Sequence, residues 1–184
     1  PEEKVLTTNG GIFFLSKDNW NIVNGMRTKY RRCQDIDLTL RLSKKRIYTI
    51  QLPLKIALHH TIDYKNNDRI WKFLFNGSYN YLSVIYRDHF LNFKLLKDFL
   101  RAQYTAISLL FSLVLVFFSP LLLLFYFFIL FIRTIFNYHK IKKTQNVTFT
   151  YFFQLLVYFA LRDIIFWFSF LFFYPKAKNI QYVK

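Results

Sequence analysis

The apolar residues of this chain are concentrated in its second half. From residue 102 to residue 132 there is no Asp, Glu, Lys or Arg, and about 20 consecutive apolar residues are enough to cross the core of a bilayer. Ser119 and Pro120 divide the run into two short halves. The proline therefore either kinks one tilted helix or starts the second leg of a tight hairpin.

The charges after this run bear on the choice between the two arrangements. A basic segment follows at once, with Arg133, Lys140, Lys142 and Lys143, and basic loops prefer the cytoplasmic side of a membrane. If the polar first half is cytoplasmic, a single crossing would place this segment outside. A hairpin keeps it inside, so the positive-inside rule favours two short legs.

The last apolar stretch, residues 147–174, carries polar side chains at four-residue intervals on one helical face: Thr150, Gln154, Tyr158 and Arg162. This face either lines a path for a lipid or glycan, or belongs to a helix that lies at the interface or packs against a neighbour. In the second case Asp163 neutralises Arg162 locally. We expect two or three hydrophobic helices in residues 102–184, around 102–118, 120–136 and 147–174.

The first half of the chain is polar and alternates between short elements. The patterns of residues 11–15, 47–52 and 55–59 predict strands. Ser16 is a candidate N-cap for a short helix through Val23, and Gly25 lies just past its end. The mixture predicts an α/β fold, although the strands are too few for a complete doubly wound domain.

Two segments of this half predict further helices. Residues 35–42 alternate apolar and polar positions as a strand does, but leading acids and a trailing Arg41 suit a helix, which we predict. Residues 68–86 predict an amphipathic helix with basic and aromatic side chains, which suits the headgroup layer. We therefore expect residues 67–101 to form amphipathic, interfacial helices.

Composition narrows the class of protein. The 184 residues include 26 Lys or Arg and 10 Asp or Glu, which gives a net charge of +16. The basic residues are scattered and the aromatic residues lie mainly in the apolar half, so we expect no nucleic-acid partner. The lone Cys33 excludes an intramolecular disulfide and any zinc site built from several cysteines. Because the chain begins with Pro1 and not Met, we interpret it as the C-terminal part of a longer protein.

The most informative stretch is residues 34–42, Gln-Asp-Ile-Asp-Leu-Thr-Leu-Arg-Leu. On a helix, Asp37 and Arg41 are four residues apart and can form an ion pair. Asp35, at the helix start, is stabilised as an anion. Taken alone, this pattern is also that of an N-capping Asp next to a surface ion pair.

The stretch resembles the Glu-Asp-x-Asp-Leu-x-x-Arg-Leu motif of inverting family 2 glycosyltransferases. The resemblance extends over roughly residues 5–65. Residues 10–17 resemble the family's Gly-Gly strand, and residues 19–26 resemble its later glycine-containing segment. Residues 46–53 resemble its strand ending in Pro, and His59 with His60 resembles its histidine-containing strand. Membrane helices after this point are also common among membrane-bound members.

The resemblance implies a partial GT-A domain, a Rossmann-like fold, in residues 1–66, followed by membrane-embedded helices. It implies that Asp35 is the catalytic base, which takes the proton from the acceptor hydroxyl, and that Asp37 and Arg41 hold the helix and the base in place. Gly10, Gly11 and Gln34 match substrate-binding positions. His59 matches a position near a divalent metal, Mg or Mn, that is mostly bound by an N-terminal portion missing here.

Some residues depart from the family pattern. The family's Glu before the base is Gln34 here, which removes a charge. The Gln-x-x-Arg-Trp motif of processive synthases is missing, and no Asp-x-Asp metal motif precedes Asp35. We therefore expect the donor site to lie in the missing portion and the fragment alone to be inactive.

The expected function is transfer of a sugar from a nucleotide-diphosphate sugar to a lipid-linked or membrane-proximal glycan acceptor, with inversion. The expected setting is bacterial cell-envelope polysaccharide biosynthesis. The protein would cross the inner cell membrane several times, contact membrane lipid and keep its catalytic domain in the cytoplasm. The alternative is a non-catalytic membrane-anchoring or interaction module.

Overall fold

A computed structural model of the chain describes residues 3–5, 14–51, 69–143 and 145–177. These residues form two short strands and eight helices: β1 (Glu3–Val5), α1 (Lys17–Ile22), α2 (Gln34–Lys44), β2 (Thr49–Gln51), α3 (Arg69–Phe75), α4 (Ser78–Asp88), α5 (Phe93–Ala102), α6 (Tyr104–Leu115), α7 (Leu122–Lys142) and α8 (Phe149–Phe172). Helices thus account for most of the described chain.

The α/β prediction, with its partial Rossmann-like GT-A domain, is wrong. In the part of the chain that the structure describes, the only strand pairing is β1 with β2, three residues each, and it is antiparallel. A Rossmann-like domain needs several parallel strands covered by helices on both faces. In the described part of the predicted strand at 47–52, only residues 49–51 are extended, as β2, and Phe14 and Leu15 belong to no strand. The predicted strand at 55–59 and the rest of the one at 11–15 lie outside the described residues.

The predictions for the first two helices are confirmed. Ser16 caps α1, since its Oγ accepts a hydrogen bond from the Asn19 N–H at 3.2 Å. Gly25 follows with φ at +64°, and a Cβ there would lie 2.7 Å from the Trp20 ring, so only glycine fits. The ambiguous residues 35–42 lie within α2, whose alternating apolar residues the helix still buries at Leu38, Leu40 and Leu42.

The amphipathic helix predicted over residues 68–86 is broken into α3 and α4. The break is at Gly77, which has φ at +80°. Asn76 stabilises the turn, because its Oδ1 accepts hydrogen bonds from the N–H and hydroxyl of Ser78 at 2.9 and 2.6 Å. One face of α4 packs against α8, so this helix is half-buried within the protein.

Two helices are long and apolar enough to cross a membrane, α7 with a mean hydropathy of 1.6 and α8 with 1.8. A third span exists only if α5 and α6, which meet at an angle of 77°, count as one. α6 has 12 residues, about 18 Å of helix, which is shorter than a bilayer core of about 30 Å. The chain is thus a membrane protein by the length and composition of its helices.

α6 and α7 pack against each other as a helical hairpin whose turn lies around Pro120. The turn exposes large apolar side chains, with Phe117 90% and Phe118 83% accessible. Such a surface is suited to lipid and unsuited to water. The apolar run thus forms two packed legs joined by an apolar turn.

The buried residues form three clusters. The largest joins α3, α6, α7 and α8, and includes Leu74, Leu109 and Leu155. A second, around Tyr30, Leu40, Ile85 and Leu95, joins α2 to α4 and α5; the third holds α1 against α2. Through the second cluster α2 packs on α4, and α4 in turn packs on α8, a candidate membrane helix.

Candidate functional site

The predicted base lies in the first turn of α2. The helix begins at Gln34, after Cys33, whose φ of +58° turns the chain into the helix. Asp35 is half-buried, and its backbone carbonyl accepts a hydrogen bond from Thr39 Oγ1 at 2.9 Å. The positive end of a helix dipole stabilises a carboxylate at such a position. The local fold therefore places this carboxylate where the sequence predicted it, at the helix start.

Asp37, two residues further on, has a different environment. Its side chain is completely buried. Oδ2 accepts a hydrogen bond from Arg41 Nε at 2.9 Å, Oδ1 lies 2.9 Å from His89 Nε2, and Arg27 Nη1 is 3.5 Å away. The predicted pairing of Asp37 with Arg41 is thus confirmed. Burial by itself raises the pKa of this carboxyl, but the hydrogen bond with His89 and the charges of Arg41 and Arg27 outweigh it and lower the pKa.

Arg41 connects α2 to the loop that follows α1. Besides its bond to Asp37, it donates from Nη1 to the Val23 carbonyl and from Nη2 to the Gly25 carbonyl, the latter at 2.6 Å. These carbonyls belong to the turn in which the ring of Trp20 covers Gly25. A single guanidinium therefore fixes the position of α2 relative to the preceding loop.

Gln34 and Cys33 have local roles. Gln34 Nε2 donates a hydrogen bond to the Tyr30 carbonyl, one turn earlier, so its role in substrate binding stays a prediction. Burial, together with the charge of Asp35, raises the pKa of the Cys33 thiol to about 11. The thiol is therefore protonated at neutral pH and is a weak nucleophile.

The end of α4 ties this unit to the membrane helices. His89 bonds to Asp37, and its neighbour Asp88 accepts a hydrogen bond from the Tyr30 hydroxyl at 2.6 Å and pairs with Lys29. Burial by itself raises the pKa of Asp88, but the hydrogen bonds from Lys29 and Tyr30 outweigh it, so that the pKa is lower than usual. Arg87 donates to the backbone carbonyls of residues 170 and 173, at the end of α8. Three consecutive residues thus connect α2, α4 and α8.

Sequence reasoning missed His89, Arg27 and Asp88. His89 is 52 residues away from Asp37 in the sequence, and no local spacing marks such a pair. The sequence did contain one sign of these residues, the run Arg87-Asp88-His89 at the end of an amphipathic segment. Three ionisable side chains follow one another there.

Several predicted site residues cannot be placed. Gly10, Gly11 and His59 lie outside the described residues. Within the described ranges no group of three or more His, Cys, Asp or Glu side chains comes together. Asp37 does not fit a divalent metal either, because two arginines and His89 already surround its carboxylate. The predicted Mg or Mn therefore stays a prediction.

A second charged group lies between α6, α7 and α8. Arg162 Nε and Nη2 donate to Asp163 Oδ1 at 3.2 and 2.7 Å, and Nη2 also lies 3.1 Å from Thr105 Oγ1. Arg133 Nη1 donates to the same hydroxyl at 2.7 Å. Two arginines and one carboxylate thus share a small volume among the membrane helices.

The packing of α8 against its neighbours shows which residues of its predicted polar face are buried and which are exposed. Tyr158 and Arg162 are buried against neighbouring helices, whereas Thr150 and Gln154 are exposed. Tyr158 shares a hydrogen bond with the Tyr79 hydroxyl of α4. The four residues therefore do not form one continuous polar path, and the helix is packed against its neighbours.

No family model, curated protein or solved structure matches the chain. The function proposed for the site therefore rests on the geometry of α2 and of the helices that hold it.

Proposed function

We propose that this chain provides the acceptor side of a membrane-bound glycosyltransferase, with Asp35 as the base. The reaction would transfer a sugar from a nucleotide-diphosphate sugar to a lipid-linked or membrane-proximal glycan, with inversion. Asp35 would take the proton of the acceptor hydroxyl while that oxygen attacks the anomeric carbon and the nucleoside diphosphate leaves.

The observation that supports the proposal is that the two carboxylates of α2 differ in burial and in their partners. Asp37 is buried and held by Arg41 and His89, so it has a structural role. Asp35 is the second residue of α2 and is only half-buried. A general base must reach its substrate, whereas the group that holds it in place need not. This is the assignment that the motif of residues 34–42 implies.

The position of α2 next to the membrane helices supports a membrane-proximal acceptor. His89 links Asp37 to the end of α4, and α4 packs against α8, a candidate membrane span. We place the charged half on the cytoplasmic side of the inner membrane, because the basic residues at the end of α7, Lys140, Lys142 and Lys143, favour that side. The described residues form no nucleotide-binding domain, so the donor site would lie elsewhere in the full-length protein.

The first test is the substitution Asp35→Asn in the full-length protein. Loss of a general base lowers kcat by about 100-fold or more, whereas the shape and hydrogen-bonding capacity of the side chain are kept. Turnover is measured with radiolabelled nucleotide sugars and membrane extracts as acceptor. Asp18→Asn, an exposed carboxylate of α1, is the matched control and should leave kcat unchanged. A wild-type kcat in the Asp35→Asn protein would contradict the proposal.

A second candidate is a non-catalytic membrane-anchoring module. The observation that favours it is that α5 has one packed apolar face, Leu95, Leu96 and Phe99, and one exposed charged face with Lys97 and Arg101, as interfacial helices do. Binding to anionic vesicles by a full-length protein that has no affinity for nucleotide sugars would favour this second candidate.

A further inference from the structure

A pocket of about 450 Å³ opens between α4, α5 and α8. Its walls are mainly apolar and include Leu95, Leu96, Phe99, Trp167 and Phe170. Pockets that hold small molecules commonly have volumes of about 300–1,000 Å³ and this kind of lining. Three polar side chains of the lining come from the end of α4: Tyr86, which hydrogen-bonds with Gln103, Arg87 and His89.

Arg87 is already occupied by other parts of the protein. Its Nη1 and Nη2 donate to the backbone carbonyls of Phe170 and Phe173 at 2.6 and 2.9 Å. The guanidinium also lies over the ring of Tyr174, 4.1 Å from its centre. Its role is to hold the end of α8, which forms one wall of the pocket.

His89 is different, because only one of its ring nitrogens is used. The side chain is 2% exposed. Nε2 faces Asp37, and since a carboxylate only accepts hydrogen bonds, Nε2 carries the hydrogen. Nδ1 is buried and has no hydrogen-bond partner in the part of the chain that the structure describes. In the neutral ring Nδ1 is an acceptor, and buried acceptors without a partner are rare in folded proteins.

We propose that this pocket binds the hydrocarbon chain of a membrane lipid whose hydroxyl group donates a hydrogen bond to His89 Nδ1. The apolar walls match a hydrocarbon chain, and the unused acceptor matches a single hydroxyl donor. Because Nδ1 is covered in the empty pocket, the side chains beside it must move apart for the hydroxyl to reach it. The proposal concerns binding alone and does not depend on the glycosyltransferase assignment.

The surroundings of the pocket favour a lipid over a soluble ligand. Trp167 and Phe170 lie on α8, which is long and apolar enough to cross a bilayer. The connection from α4 to α5, beside the pocket, exposes Phe90, Leu91 and Phe93, and Leu91 is 96% accessible. Phe90 also lines the pocket, so this exposed apolar surface is continuous with the apolar pocket walls.

The wild-type chain itself can test this. It is reconstituted into phosphatidylcholine vesicles with one of two photoreactive probes, a long-chain alcohol carrying a diazirine in its chain, or the methyl ether of that alcohol. After irradiation, labelled residues are located by mass spectrometry. We expect labelling to concentrate on Leu96, Phe99 and Trp167. The alcohol should label about fivefold more than the ether, the ratio that a typical net hydrogen bond provides.

A pair of variants controls for nonspecific partitioning. Leu96→Trp fills the pocket and should reduce labelling of α8 by the alcohol to the level of the ether. Leu100→Trp, four residues further along the same helix at a half-exposed position, should leave the labelling unchanged. Equal labelling by the two probes would overturn the hydrogen bond to His89. Labelling spread evenly over α6, α7 and α8, or no labelling of α5, would overturn the pocket as a lipid site.

Discussion

Asp37 in α2 and Asp163 in α8 are both completely buried carboxylates, and each binds an arginine of its own helix. Around Asp37 both carboxylate oxygens have partners, since Arg41 bonds to one and His89 to the other. Around Asp163 only Oδ1 takes part in the bonds to Arg162. The first carboxylate is thus held from two sides, and the second from one.

The two groups also differ in where the surplus positive charge lies. Near Asp37 the additional cation is Arg27, whose side chain is 43% exposed and therefore hydrated. Near Asp163 it is Arg133, which bonds to Thr105 and lies against the rings of Tyr104 and Phe159. Unneutralised charge is costly among membrane helices. Water therefore stabilises the surplus positive charge of the first group, whereas only protein contacts stabilise that of the second.

The largest effect is expected from Asp163→Asn. This change leaves Arg162 and Arg133 without a carboxylate, and breaking a buried ion pair costs about 3–5 kcal/mol. The free energy of unfolding, measured by denaturant titration in mild detergent, should fall by an amount in that range. Gln154→Leu, an exposed position of the same helix, should change it by less than about 0.5 kcal/mol.

A double variant sharpens this result. Arg162→Leu combined with Asp163→Leu removes both charges, and replacing a buried pair by apolar residues is often close to neutral. The double variant should therefore be more stable than Asp163→Asn alone. If it is equally unstable, the pair contributes through packing and not through charge, and the contrast with α2 fails.

A smaller loss is expected from Arg41→Met, which keeps the length of the side chain but removes its charge. The substitution deprives Asp37 of one partner and leaves the Val23 and Gly25 carbonyls without their donor. His89 and Arg27 remain near Asp37, so we expect a loss of about 3 kcal/mol, at the low end for a broken buried pair. Lys44→Met, exposed in the same helix, is the control. An Arg41→Met protein as stable as that control would show that His89 and Arg27 suffice to hold Asp37.

The sequence predicted local features better than the arrangement of distant ones. The cap of α1 by Ser16 and the i,i+4 pair of Asp37 with Arg41 depend on neighbours in the chain, and both are confirmed. The α/β fold was wrong because the described part of the predicted strand at 47–52 yields only the three residues of β2, and Phe14 and Leu15 join no strand. Residues 35–42 alternate as a strand does but form the predicted helix, and α2 buries Leu38, Leu40 and Leu42 because it is covered from more than one side.

The rest of the site could not be read from the sequence because it depends on tertiary contacts. His89 meets Asp37 only because α4 packs beside α2, and Arg133 meets Arg162 only because α7 packs against α8. The sequence did contain one signal for the break in the predicted 68–86 helix. Gly77 lies there, and glycine can take a positive φ. Once α4 starts at residue 78, its end falls at Asp88 and His89.

The smallest expected effect is a loss of stability around Asp37 and Asp88 as the pH falls. The pKa values of Asp37 and Asp88 are lower in the folded protein than the usual Asp value of 3.8. Their stabilisation is therefore complete above about pH 4 and is lost as the pH falls through the folded values. We expect a loss on the order of 1–2 kcal/mol, since a single paired carboxylate contributes about this much. We expect α7 and α8, the candidate membrane helices, to remain folded over the same range.

Cys33 reports on this loss because it is the chain's lone cysteine, half-buried at the start of α2. Its rate of reaction with 4,4′-dithiodipyridine, a reagent that works in acid, is divided by the rate of free cysteine at the same pH, because the reactive thiolate becomes scarcer as the pH falls. This ratio should rise between pH 5 and about pH 3, since α2 opens more often when its carboxylates are protonated. The far-UV circular dichroism of the whole chain should fall by no more than the contribution of α2, which has 11 residues. A ratio that does not change with pH would mean that Asp37 and Asp88 do not hold α2 in place. A larger loss of helical signal would mean that α7 and α8 unfold together with α2, and that water reaches both charged groups.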